Sequence, residues 1–261
     1  MRKFFIGFTI AGLVLIAMAI VVTSQTLPRK AMLGVSAQAV DEAKAKEMNV
    51  KAGEGLLVSA VTPNGTFDEI GVKVGDVILS INGKSVNSPA ALVAMAQSMN
   101  EGNLVEVDIN SNGVKSVKRG PAKGKPKEIS EVSDVVYDAT EMSLGKLRTI
   151  TYVPKNKTGK LPAVFYIQGL PCQSQELADR DPRKQAFEDW VKAGFVVFRV
   201  ERPNLGDSVT TKDCRDIDFN EEIETNRAGY KKLLSYDFVD SDNIFFSDIR
   251  WAAGLLRSLH K

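Results

Sequence analysis

The stretch GVKVGDVILSINGKSV, residues 71–86, decides how the first half of the chain folds. Val77, Leu79 and Ile81 alternate with their neighbours at the period of a strand, and Asn82-Gly83 closes that strand with a tight turn. Upstream, Leu56, Val58 and Ala60 alternate with Leu57, Ser59 and Val61 in a second short strand, which Pro63-Asn64-Gly65 stops. A short helix is expected between the two. Downstream, Ser88 is placed to cap a helix whose first position is Pro89, where the missing N–H costs nothing. LVEVDINSNGVKSV, residues 104–117, then reads as a hairpin around Asn112-Gly113.

This order of elements, with MLGV at residues 32–35 ahead of it and the helix SPAALVAMAQSM behind it, resembles a PDZ domain. The Gly-Asp-x-Ile-x-x-x-Asn-Gly core within residues 71–86 is the specific part of the match. The arrangement is similar to the bacterial type found in the high-temperature-requirement class of periplasmic serine proteases. The resemblance implies a β-barrel-like α+β domain over residues 30–118 that receives a C-terminal peptide as an added strand. Backbone N–H groups of Met32, Leu33, Gly34 and Val35 would hold the peptide carboxylate, and Gly34 suits a loop that must turn its amides inward. Leu92 and Met95 on the helix either line that groove or pack on the sheet, and one of Leu33 and Val35 is expected to do nothing but pack.

The ends of the chain carry other information. No charge occurs between Lys3 and Arg29, and the apolar run Phe4 to Val22 is longer than a secretory core and close to a bilayer span. Residues 1–29 are read as a signal anchor, a transmembrane helix with its basic start on the cytoplasmic side. Cleavage before Gln25 is the alternative. Either way the remainder is delivered to the cell envelope, membrane-anchored and facing the periplasm, or periplasmic or secreted after cleavage. In that compartment Cys172 and Cys214, the two cysteines of the chain, are expected to form a disulfide.

Composition is that of an ordinary globular chain of one or two domains: 261 residues, 44% hydrophobic and 25% charged, with a formal net charge of +2. Such a balance gives no argument for a nucleic-acid partner. The basic residues do cluster locally, six of them with two prolines and two glycines in KSVKRGPAKGKPKE, residues 115–128. That segment has too little apolar surface to order itself, and residues 119–128 are read as a solvated hinge.

From residue 129 the pattern changes to strands alternating with helices. Val132 to Tyr137 and Leu147 to Val153 alternate like a hairpin, whereas AVFYI at 163–167 and FVVFRV at 195–200 are continuous apolar runs, as in strands covered on both faces. One helix carries Phe187, Trp190 and Val191 on a stripe. A second, Phe219 to Leu234, opens with Asp218 and Glu221 at capping-box spacing, and NIFF at 243–246 follows as a third parallel strand. The succession resembles the opening of the α/β-hydrolase fold, in its peptidase-like or esterase-like members, with a mainly parallel sheet. That resemblance implies an oxyanion loop at GLPCQS, with Leu170 as the candidate N–H donor and Gly169 supporting it.

The same fold demands a Gly-x-Ser-x-Gly elbow after residue 246, and Ser247-Asp248-Ile249-Arg250-Trp251 cannot make one. With suitable synonymous codons, the bases that encode this stretch give Phe-Gly-His-Ser-Met-Gly-Gly when read two positions later. A frameshift or truncation at about residue 247 is therefore expected, leaving an incomplete domain at 129–261 with an aberrant tail. Ser247 and Ser258 lack a positioned base, and His260, the only histidine, sits at the end of the chain. Asp207 is read either as an active-site rim residue or as turn chemistry. No catalytic residue, metal site or cofactor is assigned. The expected function is an exported PDZ-containing serine hydrolase that is inactive as this chain, or alternatively a PDZ adaptor with a scaffold second domain.

Overall fold

The computed structural model describes residues 27–169 and 171–248. The apolar span at 4–22, Leu170, and the tail with Ser258 and His260 lie outside the described residues. Among the described residues no helix is long and apolar enough to cross a membrane.

The first module contains β1 (Val35–Ala39), α1 (Glu42–Glu47), β2 (Leu56–Val61), α2 (Thr66–Glu69), β3 (Val77–Ile81), β4 (Lys84–Ser85), α3 (Pro89–Ser98), β5 (Leu104–Ser111) and β6 (Val114–Pro121). Its antiparallel sheet runs β1-β2-β3-β5-β6, with β4 hanging from β3. Leu56, Val58, Phe67, Ile78, Ile81, Val105, Val107 and Ile109 are buried together in the core, each contributing on the order of 2 kcal/mol by leaving water. The opposite face of β3 is covered by α1, whose Ala45 joins Val40, Met48 and Val77. Asp41 caps α1 by accepting from the Lys44 N–H at 2.7 Å.

The expected hairpin at 104–117 is longer in the structure, and the basic run is not a free linker. β6 pairs with β5 in continuous register from Ser111↔Val114 to Leu104↔Pro121. A strand is held through its backbone, so a sequence poor in apolar side chains can still be ordered once a partner supplies the ladder. Beyond Pro121 the backbone stays tied: the Ala122 N–H donates to Asn103 O at 2.7 Å, and Lys123 O accepts from the Met32 N–H at 2.7 Å.

The second module contains β7 (Ser133–Met142), β8 (Gly145–Pro154), β9 (Leu161–Ile167), α4 (Pro182–Lys192), β10 (Val196–Val200), β11 (Val209–Thr210), α5 (Phe219–Leu234) and β12 (Val239–Asp248). β7 and β8 form the predicted hairpin. On its other edge β8 pairs antiparallel with β10 and β11, while β10 and β12 flank β9 in parallel. The sheet is therefore mixed rather than mainly parallel. Successive residues of the buried strands feed opposite layers: Phe165 and Phe198 pack under α5 with Leu233, whereas Tyr166 and Val197 pack under α4 with Phe187 and Val191. Asp181 and Pro182 open α4, and the capping box of Asp218 and Glu221 opens α5 as the sequence predicts. β12 continues past the expected end at Phe246, because Ser247 and Asp248 pair with Tyr166 and Ile167 of β9. The ladder is indifferent to side-chain polarity there, so the chemical break at residue 247 is not a break in the strand.

Candidate functional site

Two places in the structure bring functional groups together. The first is the open edge of the first sheet. β1 pairs only with β2 among the described strands, so its other edge is unpaired and faces α3. The loop ahead of β1 is fixed from behind. Phe67 N–H donates to Leu33 O at 3.0 Å, Thr62 N–H to Gly34 O at 2.8 Å, and the buried Thr66 hydroxyl to Met32 O at 2.7 Å. Their carbonyls are satisfied, and among the described residues the Leu33 and Gly34 N–H groups have no hydrogen-bond partner. Gly34 has φ +70°, and a Cβ there would stand 3.0 Å from the Gly65 Cα, so both torsion and space favour glycine. Two unpaired N–H groups beside an unpaired strand make a nest for an anion.

The side chains predicted for this groove divide as their positions dictate. Leu33 and Leu92 are buried in the core, while Val35 and Met95 are only partly buried and pack at its margin. Val35 and Met95 therefore keep part of their surface accessible, whereas Leu33 and Leu92 are committed to the core. Neither β1 (VSAQA) nor α3 (PAALVAMAQS) carries a charged residue.

The second place is a buried charge cluster between the modules. Arg29 donates through Nη1 to Asp207 Oδ2 at 2.6 Å and through Nη2 to Glu176 Oε1 at 2.6 Å. Arg148, on β8, reaches the same acids from the other side, Asp207 Oδ2 at 2.8 Å and Glu176 Oε2 at 3.1 Å, and also pairs with Glu201. The Lys30 N–H adds a bond to Asp207 Oδ1 at 2.9 Å. Lys125 lies 3.5 Å from Glu176, so Arg29, Arg148 and Lys125 face Glu176, Glu201 and Asp207 in equal numbers. Burial alone would raise the Asp207 and Glu176 pKa values, but the neighbouring Arg148 and Arg29 charges and the bonds they donate hold both carboxyls below the ordinary range. The Tyr137 hydroxyl, donating to Glu176 at 2.7 Å, has its pKa raised by burial and by that negative neighbour.

A second buried pair lies deeper. Arg199 of β10 grips Glu128 through both terminal nitrogens at 3.0 Å, and Glu128 also accepts from the Leu177 N–H and from Tyr152. The segment read as a hinge is thus anchored at Glu128, because a buried guanidinium demands a counter-ion. Asp207 lies in a turn, as one of the two readings has it, and is 4% exposed inside the cluster. Sequence reasoning missed Arg29, Glu128, Arg148, Glu176, Arg199 and Glu201. Arg148 and Arg199 could have been flagged, since a charge inside a strand buried on both faces requires a partner.

The disulfide between Cys172 and Cys214 is present, with Cα atoms 5.9 Å apart. It closes the loop after β9 onto the segment leading to α5. Gly169 in that loop has no neighbour within 3.8 Å of an added Cβ, so space does not demand glycine there. Leu170 lies outside the described residues, and Ser247 is committed to the β12 ladder. Among the described residues no group of three or more His, Cys, Asp or Glu side chains is placed to hold a metal ion.

Comparison with known proteins agrees with the geometry of the first module. Residues 57–108 match the PDZ domain family, so the first module is a PDZ domain. The periplasmic serine endoprotease DegP of Salmonella typhimurium is 36% identical over 85 residues, which cover 33% of this chain and 18% of that protein. The matched region is thus under a fifth of that relative's length. Among solved structures, the HtrA3 PDZ domain bound to a phage-derived ligand (FGRWV) aligns with a TM-score of 0.31 and 16% identity, covering 36% of this chain and 86% of that one. XC6422 from Xanthomonas campestris, described as an a/b serine hydrolase without lid, aligns with a TM-score of 0.33 and 15% identity, covering 47% of this chain and 52% of that one.

Proposed function

We propose that the chain is a cell-envelope protein whose PDZ groove captures the free C-terminus of a peptide or protein. The observation that carries this reading is the pair of unpartnered Leu33 and Gly34 N–H groups at the start of the open β1 edge. The ligand main chain adds to β1, its carboxylate enters the nest, and its last side chain meets Val35 and Met95. An envelope location is supported by the apolar span at 4–22, by the disulfide and by the periplasmic naming of the relative matched over the PDZ region. Titration of the full chain with a peptide ending in valine, as free acid and as amide, tests the reading. The acid form is expected to bind at least about tenfold more tightly, and equal affinities would exclude the carboxylate nest.

A second reading, that the second module derives from an α/β-hydrolase, is favoured by one observation. A hairpin packed in the order β7-β8-β10-β9-β12 places the loop after β9 at the C-terminal ends of the parallel strands, where that fold keeps its oxyanion donors. In this reading the present chain is inactive, because no elbow serine follows β12. Incubation with a fluorophosphonate is expected to leave every serine unlabelled, and labelling at any serine would refute the inactive state.

A further inference from the structure

We infer that Arg29 couples the carboxylate-binding loop at Met32–Val35 to the disulfide-closed loop at 171–176, so that displacement of either is felt by the other. The functional consequence rests on the peptide-binding reading; the coupling itself does not.

The chain between the two loops has no slack. Arg29 O accepts from Glu101 N–H at 2.8 Å, Lys30 N–H donates to Asp207 at 2.9 Å, Ala31 N–H donates to Met99 O at 3.0 Å, and Met32 N–H donates to Lys123 O at 2.7 Å. Leu33 O and Gly34 O are held in turn by Phe67 and Thr62. Every residue from Arg29 to Gly34 is therefore held by at least one backbone group, so the short segment that joins Arg29 to the two free N–H groups is ordered throughout. The Arg29 guanidinium is pinned as well, by Asp207, Glu176 and the Lys125 carbonyl at 3.0 Å from Nε.

On the other side, Glu176 belongs to the loop that the Cys172–Cys214 bridge closes. Its neighbour Ser174 donates to Glu201 Oε1 at 2.6 Å, and the Gln175 N–H donates to Glu201 Oε2 at 3.0 Å. Glu201 in turn pairs with Arg148, which shares Glu176 and Asp207 with Arg29. Moving the loop moves Glu176 and takes from the buried Arg29 one of its two carboxylate partners, a loss that the Arg29 side chain limits by following Glu176. By linkage, whatever orders one loop stabilises the other to the same extent.

The test is amide exchange on the full chain, with β5 as an internal control for global unfolding. Reduction of the disulfide is expected to accelerate exchange at 171–176 and, by about tenfold, at Lys30 and Met32, while Val105 to Ile109 stay protected. In Arg29→Lys, which keeps the charge but loses the fork, reduction should still loosen 171–176 without changing 30–32 further. The Glu176→Gln chain retains the bridge and covers the case in which reduction unfolds the whole protein; it should show the same acceleration at 30–32. Wild-type exchange at 30–32 in Glu176→Gln, or in reduced protein whose 171–176 loop has loosened, would overturn the coupling. The valine-ended peptide acid supplies the reciprocal measurement, slowing exchange at 171–176 in the wild-type chain and not in Arg29→Lys. Absence of peptide binding would remove the peptide-binding reading alone, since the exchange arms decide the coupling without it.

Discussion

At Gly34 and in the charge cluster, single atoms decide what the structure can do. A methyl group at residue 34 would meet the Gly65 backbone and force a strained φ, so Gly34→Ala should swing the Leu33 and Gly34 amides away from a bound carboxylate. Affinity for the acid peptide is expected to fall toward that of the amide, measured by calorimetry, with the amide unaffected. In the cluster, Arg148 answers three carboxylates, and Arg148→Met leaves Glu201 and its neighbours buried without it. Urea unfolding should register a loss of about 3–5 kcal/mol. The pH dependence follows from the lowered Asp207 and Glu176 pKa values. A group whose pKa is depressed by folding contributes stability that is complete above its unfolded pKa and is lost as pH falls through the folded one. Stability should therefore be level from pH 7 to about 5 and decline below about 4, with a shallower decline in Asp207→Asn.

At the scale of elements, apolar periodicity made most strands and helices readable, because Val77, Leu79 and Ile81 or AVFYI must face a core wherever they sit. The same signal failed for β6 and for the end of β12, where backbone pairing with β5 and β9 orders residues whose side chains give no reason to be ordered. The turn ahead of β1 was legible from MLGV, since glycine takes the left-handed φ found at Gly34 more readily than other residues do. The cluster was not, because its members come from five separated segments and Arg29 meets Asp207 across 178 positions. Burial of charge is visible in a strand pattern, but the identity of the partner is a property of the topology. The disulfide belongs to this scale too. It closes a separation of 42 residues, and replacing both cysteines by serine should lower stability by about 4 kcal/mol at most on the chain-entropy account, seen as a lower urea midpoint.

At the scale of the whole molecule, the two modules share buried charges. The boundary drawn at residue 129 from sequence separates Arg199 from Glu128, removes Arg29 from the acids at 176 and 207, and removes Lys125 from the acid at 176. Leaving one member of a buried ion pair behind costs about 3–5 kcal/mol, which is a large share of the stability of a small domain. Among the described strands β12 pairs only with β9, and its Phe245 is 52% exposed. A fragment of residues 129–248 is therefore expected to lack a cooperative monomeric unfolding transition, whereas residues 27–248 should unfold in one transition. Calorimetry with sedimentation of both fragments checks this. A cooperative, monomeric transition in the shorter fragment would mean that Arg199, Glu176 and Asp207 find compensation within their own module, and the inter-module charges would then serve position rather than stability.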